Sequence, residues 1–158
     1  MSKQEKKEKE DSIKVVARNR RAHQRFTILE ALEAGIVLLG HEVKSLRQGK
    51  ASIEESLVRI DKNEIFLFNT HIPPYAHLSH VLYNPARTRK LLLHRKEIDR
   101  LGREVQTQGM TLVPLEIYFK EGKAKVSVGL AKGKKTADRR EEIKKREADR
   151  AIRSKVRR

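Results

Sequence analysis

The chain has 158 residues, and 37 Lys and Arg against 21 Asp and Glu give it a formal net charge of +16. It is 37% hydrophobic and 37% charged, leaner in apolar residues than an average soluble domain, so one small core with solvated segments is expected. Without Cys there is no disulfide framework, thiolate zinc site or cysteine nucleophile; no apolar run nears the roughly 20 residues of a membrane span, and the first residues lack the apolar stretch of a secretory signal.

Residues 1–14 read as a disordered polar leader, where Lys3, Lys6, Lys7 and Lys9 balance Glu5, Glu8, Glu10 and Asp11. Asn19 to Phe26 form a polar entry. Phe26, Ile28, Ala31 and Leu32 open an apolar pattern that Ala34-Gly35 breaks, and Ile36 to Leu39 read as a buried strand. Val43 and Leu46, three apart before Gly49, predict a short helix with Lys44 and Arg47 outward. Ser52 to Glu55 fits a capping box or a turn. Leu57–Ile60 and Ile65–Phe68 flank Asp61-Lys-Asn-Glu and predict a hairpin. Phe66 and Phe68 share one face of their strand. Two aromatics so spaced are either a base-stacking platform or core, and the flanking Ile65 and Leu67 favour core.

Residues 71–88 hold three of the four prolines and read as a loop too long to be an idle connection. After Leu91-Leu92-Leu93, the spacing of Ile98, Leu101 and Val105 predicts a helix ending at Gly109. Leu112–Lys120 and Lys123–Leu130 predict a second hairpin, with Leu115, Ile117 and Phe119 against Val126, Val128 and Leu130. About six short strands with short helices suit a small barrel of the OB type, which commonly binds oligonucleotides.

Catalytic chemistry is hard to find. His71, His77 and His80 sketch a metal site, but the segment between residues 65 and 96 contains no acid to complete it. The adjacent pairs Glu54-Glu55 and Glu141-Glu142 make no facing dyad, and Ala131-Lys-Gly-Lys-Lys135 lacks the spacing of a phosphate-binding loop. The expectation is a protein without catalysis, cofactor or metal.

The last 28 residues carry net +8, half of the whole excess. Such an end is either a solubilising tail or an interaction arm, and the equally basic body favours a polyanionic partner. In the cytosol that means nucleic acid before membrane, since no stretch pairs a basic face with a large apolar one. From Asp138 to Arg158 there is neither Pro nor Gly, and acid-to-base pairs such as Glu141–Lys145 and Asp149–Arg153 recur at helical spacing. The apolar stripe is thin, which predicts a helix that forms conditionally, when phosphates neutralise its charge.

Several segments carry a resemblance. Glu33-Ala-Gly-Ile-Val-Leu-Leu-Gly-His-Glu-Val-Lys-Ser-Leu-Arg47, Gly49-Lys-Ala51, Pro85-Ala-Arg-Thr-Arg-Lys-Leu-Leu-Leu-His94, Gly129-Leu-Ala-Lys-Gly-Lys-Lys135 and Asp138-Arg-Arg140 resemble SmpB, the SsrA-binding protein family of bacteria. The likeness runs from about Val15 to the end. It implies an OB-like antiparallel barrel over residues 15–131 and a basic tail over 132–158. It also implies a cytoplasmic adaptor of trans-translation, the rescue of ribosomes stalled without a stop codon. Its partners would be the tRNA-like domain of tmRNA, the 70S ribosome with its 16S rRNA, decoding centre and mRNA channel, and, through alanyl-tmRNA, elongation factor Tu. The alternative is a general basic RNA binder such as a ribosomal protein or RNA chaperone.

By position, the resemblance assigns RNA contacts to Glu33, Leu92 and His94, with Lys44, Arg87, Arg89 and Lys90 nearby and Asn19 and Arg20 at the N-terminal motif. Asn is frequent in the family where His94 stands. In the tail, Lys132, Lys134, Lys135, Asp138, Arg139 and Arg140 match the stretch near the decoding centre, and Ile152 matches an apolar tail position. Two residues depart from the family: Gln24 stands where His is usual, with His23 one early, and Ala137 stands where His or Tyr often precedes the Asp-basic-basic triplet.

Overall fold

The computed structural model describes residues 13–76 and 82–156. Residues 1–12 of the leader expected over 1–14, and His77 and His80 of the sketched metal site, lie outside the described residues, while Lys14 at the leader's end already opens the first strand. Among the described residues, seven strands form one sheet in the order β1-β6-β3-β4-β5-β2-β7, and β6 also pairs with β7. That second pairing closes the sheet into a barrel, and every pairing of two strands is antiparallel. The strands are β1 (Lys14–Arg18), β2 (Phe26–Ile36), β3 (Leu57–Asp61), β4 (Glu64–Phe68), β5 (Arg89–Leu92), β6 (Thr111–Lys120) and β7 (Lys123–Gly133). The helices are α1 (Ala22–Arg25), α2 (Gly40–Arg47), α3 (Arg95–Gln108) and α4 (Thr136–Val156).

Both predicted hairpins form. Lys62 and Asn63 have positive φ, as do Glu121 and Gly122, the two-residue turn geometry whose twist matches paired strands. Helix α3 buries Ile98 and Leu101 in the barrel core and stops at Gly109, whose φ of 63° is left-handed and favours glycine. Ser52–Glu55 makes a turn, with Ile53 buried and Ser52 bridged to His71.

Three expectations need correction. Ala34-Gly35 does not break the chain; it lies inside β2, and Val37 and Leu39 beyond it are exposed. Small residues there let β5 come close: a Cβ on Gly35 would sit 3.2 Å from that of Leu92. In the β6–β7 hairpin, the register shifts between Pro114 and Glu116. The bulge turns Leu115 out of the main core and onto a small cluster of Ala22, Val113 and Ala131. Finally, Ile65 and Leu67 are fully buried while Phe66 and Phe68 are only half-buried, so strand alternation places the two phenylalanines on the outer face rather than in the core.

The described ends of the 71–88 segment are held by a buried ionic cluster. Both side chains of the Glu42–Arg89 pair are fully enclosed. Arg89 Nη1 donates to Thr70 O and Arg87 O, and its Nη2 donates to Tyr83 Oη and Pro85 O as well as to Glu42. One arginine thereby ties both ends of the long loop to α2.

Candidate nucleic-acid interface

Alternation along β2 buries Leu32, Ala34 and Ile36 and sends Glu33 and Gly35 outward. On β5 it buries Arg89 and Leu91 and sends Lys90 and Leu92 outward. Since Gly35 pairs with Leu92, Glu33, Leu92 and Lys90 share one outer wall of the barrel. Leu92 is 53% exposed, too open for a core role. His94, exposed, lies two residues on and caps α3, its backbone N–H donating to Glu97 Oε2 at 3.1 Å.

Glu33 is held from β6, across the intervening β7. Tyr118 Oη donates to its Oε2 at 2.6 Å, and Lys120 Nζ lies 3.2 Å from the same oxygen. The tyrosine hydrogen bond keeps the carboxyl below its ordinary range, against the opposing effect of partial burial. Burial, then the adjacent Glu33, raises the Tyr118 phenol. Sequence reasoning missed Tyr118, Lys120 and Lys125, which join Glu33 on this wall. Their signal was the alternation of the second hairpin, whose inward Ile117, Phe119 and Val126 leave residues 118, 120 and 125 outward.

The remaining basic residues divide. Lys90 Nζ is paired with Glu64 Oε1 at 2.7 Å and stays exposed. Lys44, exposed on α2, lies 5.4 Å from the Tyr75 ring centroid. Arg87 is partly exposed, its Nη2 2.6 Å from Glu42 Oε2. Arg89 is fully buried, so it supports the surface from within and presents nothing to a partner. Glu42, at the centre, is penalised by desolvation; donors from Arg87, the Leu39 N–H, Arg89 and Tyr83 outweigh that penalty and hold its carboxyl at about 2. Burial and Glu42 push the Tyr83 phenol up to about 12.

Asn19 is also buried. Its Nδ2 donates to Pro114 O at 3.0 Å and its Oδ1 accepts from the Ala22 N–H at 3.1 Å, so it fixes the start of α1. Arg20 beside it is exposed. These residues gather at the root of the tail: Phe26 pairs with Gly133, and Lys134 N donates to Arg25 O. Gly35 and Leu92 lie at the far end of β2, on the order of 30 Å of strand away. The expected RNA contacts therefore form two groups.

At the tail root, Lys134 Nζ donates to His23 O at 2.7 Å and to Glu142 Oε2 at 2.6 Å. Gln24 faces the first turns of α4 in a groove with Arg139, Glu142, Ile143 and Arg146. Lys132, Lys135, Asp138, Arg139 and Arg140 are exposed, and Ile152 is 60% exposed. No residue of α4 is buried. Among the described residues no three His, Asp or Glu side chains cluster as metal ligands, and no helix is long and apolar enough to cross a membrane.

A closed antiparallel barrel with a basic helix extending from its last strand is the architecture of an OB-like protein. The sequence model of the SmpB protein family matches residues 16–158, and the chain belongs to that family. The SsrA-binding protein of Geobacillus kaustophilus (strain HTA426) is 50% identical over 139 residues, covering 88% of this chain and 90% of that protein. That of Caldicellulosiruptor saccharolyticus is 50% identical over 150 residues, covering 95% of each. A solved structure described as "tmRNA-SmpB: a journey to the center of the bacterial ribosome" is 52% identical with a TM-score of 0.63, covering 75% of this chain and 84% of that one.

Proposed function

We propose that this chain is the cytoplasmic RNA-binding adaptor of trans-translation: it binds the tRNA-like domain of tmRNA on its barrel and carries it to stalled ribosomes. The observation that carries the reading is the outer wall of Glu33, Lys90 and Leu92 beside His94. It presents an open apolar side chain, a fixed carboxylate and an exposed lysine paired with Glu64 on the sheet, with an exposed imidazole at the adjoining helix cap. A structured RNA needs such mixed contacts, and phosphate attraction alone would not discriminate among RNAs. Membership of the SmpB family supports the same assignment. The adaptor works without catalysis. It engages elongation factor Tu only through alanyl-tmRNA.

The exposed α4 is the ribosome-facing arm, with Lys132, Lys135, Asp138, Arg139 and Arg140 at its base and Ile152 near its end. Its length, about 30 Å at 1.5 Å per residue, suits the empty mRNA channel and decoding centre. Binding at physiological salt to the tRNA-like domain and to an ordinary tRNA, with the full chain and with a chain ending at Gly133, tests the reading. The adaptor keeps a preference of about tenfold or more, about 1.4 kcal/mol, without its tail. Equal binding of both RNAs, or loss of binding on truncation, makes the chain a general basic RNA binder instead.

A further inference from the structure

On the wall next to Leu92, Phe66 and Phe68 lie edge to face, their ring centroids 6.5 Å apart at 61°. The Arg59 guanidinium sits 5.9 Å from the Phe68 centroid, and Arg59 itself is exposed. The register makes this one surface: Arg59 pairs with Phe66, and Phe66 pairs with Lys90. Leu92 is the next outward residue after Lys90 on β5. Two half-buried aromatic rings on an outer sheet face, rimmed by an arginine and a lysine, have no role in the barrel core, which Ile65 and Leu67 fill from the opposite side.

We propose that Phe66 and Phe68 form a stacking platform for unpaired nucleobases of the bound RNA, with Arg59 and Lys90 contacting the flanking phosphates. The proposal rests on RNA being the partner of the adjoining Leu92 wall and extends that wall by two strands. Three observations select an RNA occupant over a second copy of the chain. The rim holds two cations, Arg59 and Lys90, against one carboxylate, the Glu64 that pairs with Lys90; the whole molecule carries +16, which opposes self-association; and the patch is continuous with the Leu92 wall. Aromatic side chains on a sheet bind bases through their π-faces, and arginine adds a cation–π term, a mode that tolerates any base but favours those that stack best.

The test uses the full chain with fluorescein-labelled decamers of adenosine and uridine, read by anisotropy at two salt concentrations. The basic tail attracts both decamers alike, whereas adenine stacks more strongly than uracil. The wild type is expected to prefer the adenosine decamer by about fivefold or more. F66L/F68L keeps the apolar bulk, and it should abolish that preference without changing the salt slope. Arg59→Gln should lower the slope by about 0.7 for one lost phosphate contact on a single strand. Thermal melts confirm that the variants fold. Preference for the tRNA-like domain over tRNA, measured on the wild type, reports the adaptor reading separately. Equal binding of the two decamers by the wild type, or a preference that survives F66L/F68L, overturns the platform. A dimer in sedimentation that F66L/F68L dissociates, with decamer binding unchanged, also overturns it by assigning the face to a second copy.

Discussion

Glu42 and Arg89 meet at 2.8 Å with neither side chain exposed to solvent. Removing one partner leaves a buried charge without compensation, which costs about 3–5 kcal/mol. Arg89→Met and Glu42→Gln are each expected to lower the urea midpoint steeply, and Arg89→Lys to rescue little, since one ammonium cannot replace the guanidinium's spread of bonds. Urea denaturation of the three variants checks this.

The same carboxylate sets an acid limit. Its folded value of about 2 lies below the ordinary glutamate value of 4.5. The stabilisation is therefore complete above about pH 4.5 and is lost as pH falls towards 2, on the order of 3 kcal/mol in all. Stability measured from pH 6 to pH 2 should fall more steeply in the wild type than in Glu42→Gln, which has no proton to take up at that position.

Leu92 stands on the surface, so its removal should separate binding from folding. Leu92→Ala is expected to change stability by no more than about 0.5 kcal/mol while weakening binding of the tRNA-like domain by about tenfold or more. Parallel melting and binding titrations decide it; a large drop in melting temperature would reassign Leu92 to packing.

Helix α4 has no buried residue to stabilise it and is marginal by itself at 21 residues. A chain ending at Gly133 should melt within about 2 °C of the full chain. The far-UV circular dichroism difference between the two should decline gradually on heating, well below the barrel transition. Lys134→Ala, which removes the bonds to His23 O and Glu142, should reduce that difference further.

Ile152, open at 60%, belongs to the arm and not to the barrel. Ile152→Asp should leave affinity for the tRNA-like domain unchanged and impair peptide tagging on stalled ribosomes in a reconstituted translation assay.

Much of the barrel was legible because its signals are local. Turn residues at 61–64 and 121–122 and the helical spacing of Ile98, Leu101 and Val105 name their elements without reference to the rest of the chain. What escaped depends on partners distant in sequence. Strand β1 is short and mixed in character, and it exists because β6 offers it an edge. Which face of β4 turns inward follows from its neighbours, and a strand with apolar residues on both faces does not reveal it. The bulge that diverts Leu115 is marked only by Pro114, which a strand tolerates at a bulge or an edge alike, so the direction of Leu115 stays unread. For the site, Glu33, Leu92 and His94 could be placed by motif, but motif position alone could not separate Arg87, which reaches the surface, from Arg89, which is sealed beneath it.

Strand β7 runs into α4 with only Lys134 and Lys135 between them, and β7 is bonded on both sides, to β2 and to β6. The arm thus has a stiff mounting and a single short pivot. A swing of about 10° at Lys134 would carry the far end of a 30 Å rod by about 5 Å. The pivot is pinned by the Lys134 ammonium, which bridges a backbone carbonyl and a carboxylate, and by the Lys134 N–H on Arg25 O, so the chain works as a lever whose bearing is three hydrogen bonds wide.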